Sequence, residues 1–194
     1  MQSGERSSEI SNSTLTSSAT KPKSEPKPEL PSNWLPFVCT RENLEMVWNK
    51  LNQFPILFDD SVRGDFKHFL SEMFDKSSII LLTGDYGIVR VSNIIPSREC
   101  DIHLTFWDRR FKGRLEECKQ ALKWLFNTLN LHRATISVPS MAHSTINFLK
   151  ALGLVREGVI RDSWSYNGRY LDVWTFGILR EEILKEDGNG KQEN

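Results

Sequence analysis

The residues with the clearest chemical content lie in one stretch, WDRRFKGRLEECKQALKWLFNTL, from Trp107 to Leu129. Arg109, Arg110, Lys112 and Arg114 surround Gly113 and run directly into a segment of helical periodicity. The first backbone N–H groups of a helix have no partner inside it, and the helix dipole adds positive potential there. A glycine lets the backbone come close to a bulky anion, so a phosphate-binding loop is one reading. Cations at a helix start oppose the dipole by about a few tenths of a kcal/mol each, which suits an anion that offsets them. Glu116 and Glu117 in the next turn could serve the same purpose. A solvated basic loop is the other reading, and the local pattern leaves both open.

Groups able to move a proton stand just upstream. The segment CDIHLTFW sets Ile102, Leu104 and Phe106 against His103, Thr105 and Trp107, the period of a strand with two different faces. Asp101 and His103 are candidate bases, and a histidine titrates close to neutrality. The competing reading of His103 is an outward, solvated strand residue. His143 and Ser144, at the start of a later short helix, are expected to cap it, and Glu157 either contacts a substrate or braces a turn. The four histidines form no HExxH or HxH pattern and the three cysteines no CxxC pair, so neither a metal site nor a disulfide framework is expected. Reduced thiols fit a cytoplasmic location.

These groups need elements to hold them. WLPFVCT reads as a first strand, and RENLEMVWNKLNQ places Leu44, Val47, Trp48 and Leu51 at helical spacing. DDSVRGDFKHFLSEMFDKS brings Val62, Phe66, Phe69, Leu70 and Phe74 onto a second helical face. SIILLTG, a turn from Gly84 to Tyr86, GIVRVSNI and CDIHLTFW then give three strands. In the helix that follows the basic loop, Leu115, Cys118, Leu122, Leu125 and Leu129 form one apolar stripe. RATISV is a strand ended by Pro139, and AHSTINFLKALG a short helix stopped at Gly153. LVREGVIRDSWSY and RYLDVWTFGILRE make a hairpin turning at Asn167-Gly168. The order predicts one α/β domain (α+β, mixed sheet) over 33–184, with parallel strands in the middle and antiparallel meanders at each end.

The ends differ in composition. Residues 1–32 are mostly Ser, Thr, Lys, Glu and Pro, and are expected to form a disordered arm that could tether a protein partner. Residues 185–194 are expected to be a flexible tail. With 39% hydrophobic and 26% charged residues and no formal net charge, a soluble globular protein is expected, monomeric or dimeric. Balanced charge argues against a general nucleic-acid role, and no segment is apolar for long enough to span a bilayer.

RFKGRL, Arg110 to Leu115, resembles the Arg/Gln-x-x-Gly-x-Gly/Ala pyrophosphate loop of GNAT (Gcn5-related) N-acetyltransferases. Downstream, Leu152-Gly153-Leu154, Arg156-Glu157-Gly158, Arg161 and Asn167-Gly168 fall into register with the ribosomal-protein acetyltransferase branch. STINFLKALG is also similar to GNAT-like proteins of tailed bacteriophages, which would imply a virion-associated or accessory role. The likeness is clear from about Asp101 to Glu181 and fainter from Leu35 to Pro96.

The resemblance implies a GNAT fold with a V-shaped split between two adjacent parallel strands, and acetyl-CoA as cosubstrate lying in it. Phe106, Trp107, Arg110, Phe111, Lys112, Gly113, Arg114 and Leu115 would bind the cofactor. The acetyl group would pass to an amine acceptor, a protein N-terminus or a small molecule. The strand from Leu104 to Trp107 would pair with the pantetheine arm, and Trp107, Trp164 and Trp174 would flank the cleft. The chain departs from the family pattern at three positions. Leu115 stands in place of the second small loop residue, Ala142 in place of an Asn, and Leu149 in place of the Tyr that protonates the leaving thiolate. The alternative implied by these departures is a catalytically degenerate binding or structural protein.

Overall fold

The computed structural model describes residues 29–108 and 114–185. Seven strands form one sheet in the order β1-β2-β3-β4-β5-β7-β6. They are β1 (Trp34–Pro36), β2 (Ile79–Thr83), β3 (Gly87–Ile95), β4 (Glu99–Phe106), β5 (Arg133–Pro139), β6 (Val155–Tyr166) and β7 (Arg169–Leu179). The helices are α1 (Arg41–Leu51), α2 (Phe66–Met73), α3 (Arg114–Thr128), α4 (His143–Ala151) and α5 (Arg180–Lys185), with a 3-10 turn at Pro55–Leu57. Every strand pair is antiparallel except β4–β5.

The alternation in β4 sends its side chains to two separate cores. Cys100 and Ile102 are buried with Val89, Val91, Ile136 and Phe176 on the face covered by α3 and α4. The opposite face carries a smaller cluster of Leu44, Val47, Phe69, Met73 and Ile88, with Trp48 and Trp107 packed against it. The helix after the basic loop uses the stripe read from its sequence, widened by Ala121 and Phe126.

Turn chemistry fixes the rest. Asn167 and Gly168 both have positive φ, 51° and 71°, as a two-residue hairpin turn demands. Thr40 caps α1 by accepting from the Asn43 N–H, and Asp65 caps α2 by accepting from those of Lys67 and His68.

Three expectations need correction. The second helix is shorter than its apolar pattern. Gly64, at φ +76°, and the Asp65 cap start it late, so Val62 lies in a turn; Phe66 and Phe74 are exposed, and Phe69 and Met73 carry the buried face. β1 spans three residues rather than seven. His143 and Ser144 do not cap α4, whose N-cap is Ala142 without a side-chain hydrogen bond. A helix not anticipated from sequence, α5, starts where Glu182 Oε2 accepts from the Leu179 N–H at 2.8 Å, and buries Ile183. At the other end, Leu30 packs against the larger core and Gln120 Nε2 donates to the Glu29 carbonyl, so residues 29 and 30 are held against α3.

Candidate functional site

The parallel pair β4–β5 comes apart. Glu99, Cys100 and Asp101 pair with Arg133, Ala134 and Thr135, and there the ladder ends. Beyond it β4 continues to Phe106 paired with β3, and β5 continues to Pro139 paired with β7. Each strand keeps its outer neighbour and loses the inner one. The backbone edge of β4 from Ile102 onward therefore faces a split that opens toward the C-terminal ends of both strands, where an extended ligand can take the place of a strand.

On the larger-core side, the open end is built by three elements. Arg114, the first residue of α3, lies with its guanidinium 5.3 Å from the Phe106 ring at the end of β4 and 5.0 Å from the Phe148 ring on α4. The two rings meet edge to face, with centroids 5.8 Å apart. An aromatic stack of this kind holds a guanidinium in place while leaving its edge donors free. Among the described residues no carboxylate forms an ion pair with Arg114. Leu115 is half-buried and packs against the core, beside a helix start whose first N–H groups have no acceptor within the helix and whose dipole adds positive potential.

The acidic pair in the first turn of α3 is engaged elsewhere. Glu117 Oε2 accepts from the Tyr86 hydroxyl, from Trp34 Nε1 at 3.0 Å and from Asn33 Nδ2 at 3.3 Å. Burial and the Glu117 carboxylate push the Tyr86 phenol above its ordinary range. This network ties α3 to β1 and to the β2–β3 turn. Glu116, which is exposed, lies 4.0 Å from the Lys119 ammonium.

The opposite face of the split carries the proton-active groups. His103 Nε2 lies 3.2 Å from Ser92 Oγ, and Asp101 Oδ2 accepts from Asn93 Nδ2 at 2.7 Å. The His103 side chain is exposed on this face of the sheet. Desolvation first and the Arg90 guanidinium second lower its pKa, against an opposing contribution from Asp101. The imidazole is therefore held neutral at neutral pH, the form that accepts a proton. Arg90 itself is fixed by Glu72 and, at 3.8 Å, by Asp75. Across the split, Ser137 Oγ and Thr175 Oγ1 are 3.4 Å apart.

The candidates from sequence thus separate. Asp101 and His103 share one face of β4, and Phe106 and Arg114 meet on the other. Trp107 is committed to the smaller core. Its Nε1 donates to the Asp85 carbonyl at 2.6 Å and its backbone N–H to the Tyr86 carbonyl, so that amide is not open to a ligand. Arg110, Phe111, Lys112 and Gly113 lie outside the described residues. Leu149 is fully buried in the larger core, and Glu157 is paired with Arg133 at 2.5 Å, over Gly177. Trp174 packs against the larger core and takes Arg156 over its ring at 4.6 Å, while Trp164 is half-buried in the β6–β7 hairpin. Phe148 was missed in the sequence; its i, i+3 relation to Thr145 and Ala151 gives no apolar signal. Among the described residues there is no group of three or more metal-ligating side chains, and no helix is long and apolar enough to cross a membrane.

No protein-family model matches the chain. An uncharacterized N-acetyltransferase p20 of Bacillus licheniformis is 23% identical over 150 residues, spanning 77% of this chain and 79% of that one. The spermidine N-acetyltransferase of Vibrio cholerae, solved in complex with CoA and spermine, superposes with a TM-score of 0.62 at 20% identity. That match covers 79% of this chain and 99% of the other. A probable acetyltransferase gives a TM-score of 0.60 at 18% identity, over 79% of this chain and 97% of its own. The mixed seven-stranded sheet, split between its two parallel strands and flanked by helices, is the fold of the GNAT acetyltransferases.

Proposed function

We propose that the chain is an N-acetyltransferase that takes its acetyl group from acetyl-CoA and transfers it to an amine. The observation that carries the reading is the β4–β5 split: among the described residues, the strand edge on one wall has no strand partner and Arg114, at the helix start beside it, has no ion pair. Likeness to acetyltransferases, one solved with CoA, supports it.

In this reading the N-terminal turn of α3 and Arg114 hold the diphosphate, and the β4 edge from Ile102 to Phe106 holds the pantetheine amides. The thioester supplies an activated acyl group. A neutral acceptor amine placed on the His103 side attacks that carbonyl, and the imidazole takes the proton the nitrogen gives up. The leaving sulfur is a tolerable thiolate and gains its proton from solvent, because Leu149, buried in the core, has none to give. Asp101 acts through its contact with the Asn93 amide rather than on the amine.

Leu149 favours a second reading, a catalytically degenerate GNAT-fold binding or structural protein, such as a phage-type accessory protein. Titration with acetyl-CoA in a calorimeter, followed by thiol release with a panel of primary amines, separates the two. Heat with thiol release supports the enzyme. Heat without release supports the binding protein. No heat and no thermal shift at millimolar acetyl-CoA ends both.

A further inference from the structure

The two halves of the sheet that separate at the split are joined again across its open end by a segment of chain far away in sequence. Phe58 stacks edge to face on Trp48, centroids 5.8 Å apart, which anchors one end of the segment in the cluster that α1 and α2 form over β2 and β3. The next residues are bonded to the tip of the β6–β7 hairpin. Asp59 Oδ2 accepts from the Ser165 N–H at 2.6 Å, and the Asp60 N–H donates to the Ser165 carbonyl at 2.9 Å. The two oxygens of Asp60 accept from the consecutive N–H groups of Asn167, 3.1 Å, and Gly168, 2.8 Å. Arg63 completes the contact, pairing with Asp60 at 2.7 Å, donating to Asn167 Oδ1 at 2.9 Å and lying over the Tyr166 ring at 4.7 Å.

This hairpin tip stands at the open end. Val173 of β7 pairs with Pro139, the last residue of β5, and the turn at Asn167-Gly168 lies beyond that pair. The chain from Phe58 to Arg63 therefore crosses from the β2–β4 half to the β7–β6 half at the mouth of the split. A split that the sheet alone would leave open on this side becomes a ring, closed by a carboxylate on two backbone amides. Neighbouring hydrogen bonds also hold the Asp59 carboxyl well below its ordinary range, so its own bond to the Ser165 N–H is kept in mild acid.

We infer that Asp60 is a specificity-determining positioning residue: by latching the Phe58–Arg63 segment to the hairpin tip it fixes the width of the mouth and limits the bulk of the acceptor amine that can enter. The inference rests on the acetyl-transfer reading and deepens it. Two links with different consequences make it testable. The latch is a set of hydrogen bonds that exist with or without catalysis, whereas the size limit is a property of turnover.

The experiment compares the full chain with Asp60→Ala and with Asp60→Asn, which keeps one acceptor oxygen and loses the charge. Amide hydrogen exchange is read at Asn167 and Gly168, with Ile136 and Phe176 as core references. Thiol release from acetyl-CoA is read with n-propylamine and with cyclohexylmethylamine. The expected result is protection at both turn amides that Asp60→Ala abolishes and Asp60→Asn weakens, the core amides staying protected. With it, the preference in kcat/KM for n-propylamine over cyclohexylmethylamine falls about tenfold in Asp60→Ala, the order of what pocket shape contributes to discrimination, while KM for acetyl-CoA is unchanged. Unprotected turn amides in the unsubstituted chain, or an unchanged preference with turnover intact, overturn the inference and leave acetyl transfer standing. Absence of turnover with every amine overturns acetyl transfer and the size limit together, and the exchange data still report whether the latch exists.

Discussion

The guanidinium of Arg114, at the start of α3, rests 5.0 Å from the centre of the Phe148 ring on α4. That contact brings the helix that would hold a diphosphate onto the helix that lines the other wall of the split. It also keeps the cation in place when no ligand neutralises it.

Arg114→Ala is expected to weaken acetyl-CoA binding about tenfold, ~1.4 kcal/mol, as one charge-assisted contact is lost. Arg114→Lys should recover little of this, because a compact ammonium does not stack on Phe106 and Phe148 as a planar guanidinium does. Calorimetric titration of the two variants measures it. Equal affinity in all three proteins would remove Arg114 from the site.

His103 gives a pH signature of defined sign. Its folded-state pKa is depressed, so the unfolded chain takes the proton first as pH falls below about 6.5. Above that value His103 contributes nothing to the pH dependence of stability; below it, stability is lost until the folded-state value is reached. His103→Gln should therefore lose less stability between pH 7.5 and pH 5 than the parent, read from urea midpoints. In kcat/KM the same substitution is expected to cost about a hundredfold and to flatten the acid limb. An acid limb that survives the substitution assigns the base elsewhere.

A tyrosine at position 149 should not help. Leu149 has no exposed surface and packs in the larger core. Leu149→Tyr forces a larger ring and a hydroxyl into that space, and a loss of about 1–3 kcal/mol in stability is expected, with no gain in kcat. Chemical denaturation and thiol-release kinetics check the two halves separately. A faster enzyme would show that the α4 face is turned toward the sulfur.

Gly87 is set by packing. A Cβ there would meet Phe106 Cδ1 at 2.4 Å and the Thr105 carbonyl at 2.7 Å, one of them backbone, so relief requires β3 and β4 to move apart. Gly87→Ala is expected to destabilise by about 2–3 kcal/mol and to weaken acetyl-CoA binding, because Phe106 supports Arg114. Gly177→Ala has the closer contact, 2.3 Å, but against the end of the Glu157 side chain, which can swing away, so its cost is expected to be smaller. Thermal midpoints of the two variants rank them.

The periodicities in the chain determined most of the elements because they record local facts. The two-faced pattern of Asp101 to Trp107 is the pleat of β4, and the apolar stripe from Leu115 to Leu129 is the buried side of α3. Asn167-Gly168 dictated its hairpin because few other pairs adopt positive φ twice in succession. Pattern failed where a local signal was overridden by its neighbours. Phe74 belongs to the apolar spacing of α2, yet the cap at Asp65 sets the helix so that Met73 is the residue turned inward.

What the tertiary structure alone decided is where separate segments meet. Glu117 reads as a charge offsetting nearby cations, but Trp34 and Tyr86, which converge on it from 83 and 31 residues away, claim it for a half-buried network. Phe148 gains its place beside Arg114 only when α3 and α4 lie on the same face of the sheet. The same is true of the Asp60 latch, whose donors lie 107 and 108 residues further along. Sequence encodes each residue's relation to its near neighbours through the period of the backbone. Contacts over such separations carry no period, so only the folded sheet fixes them.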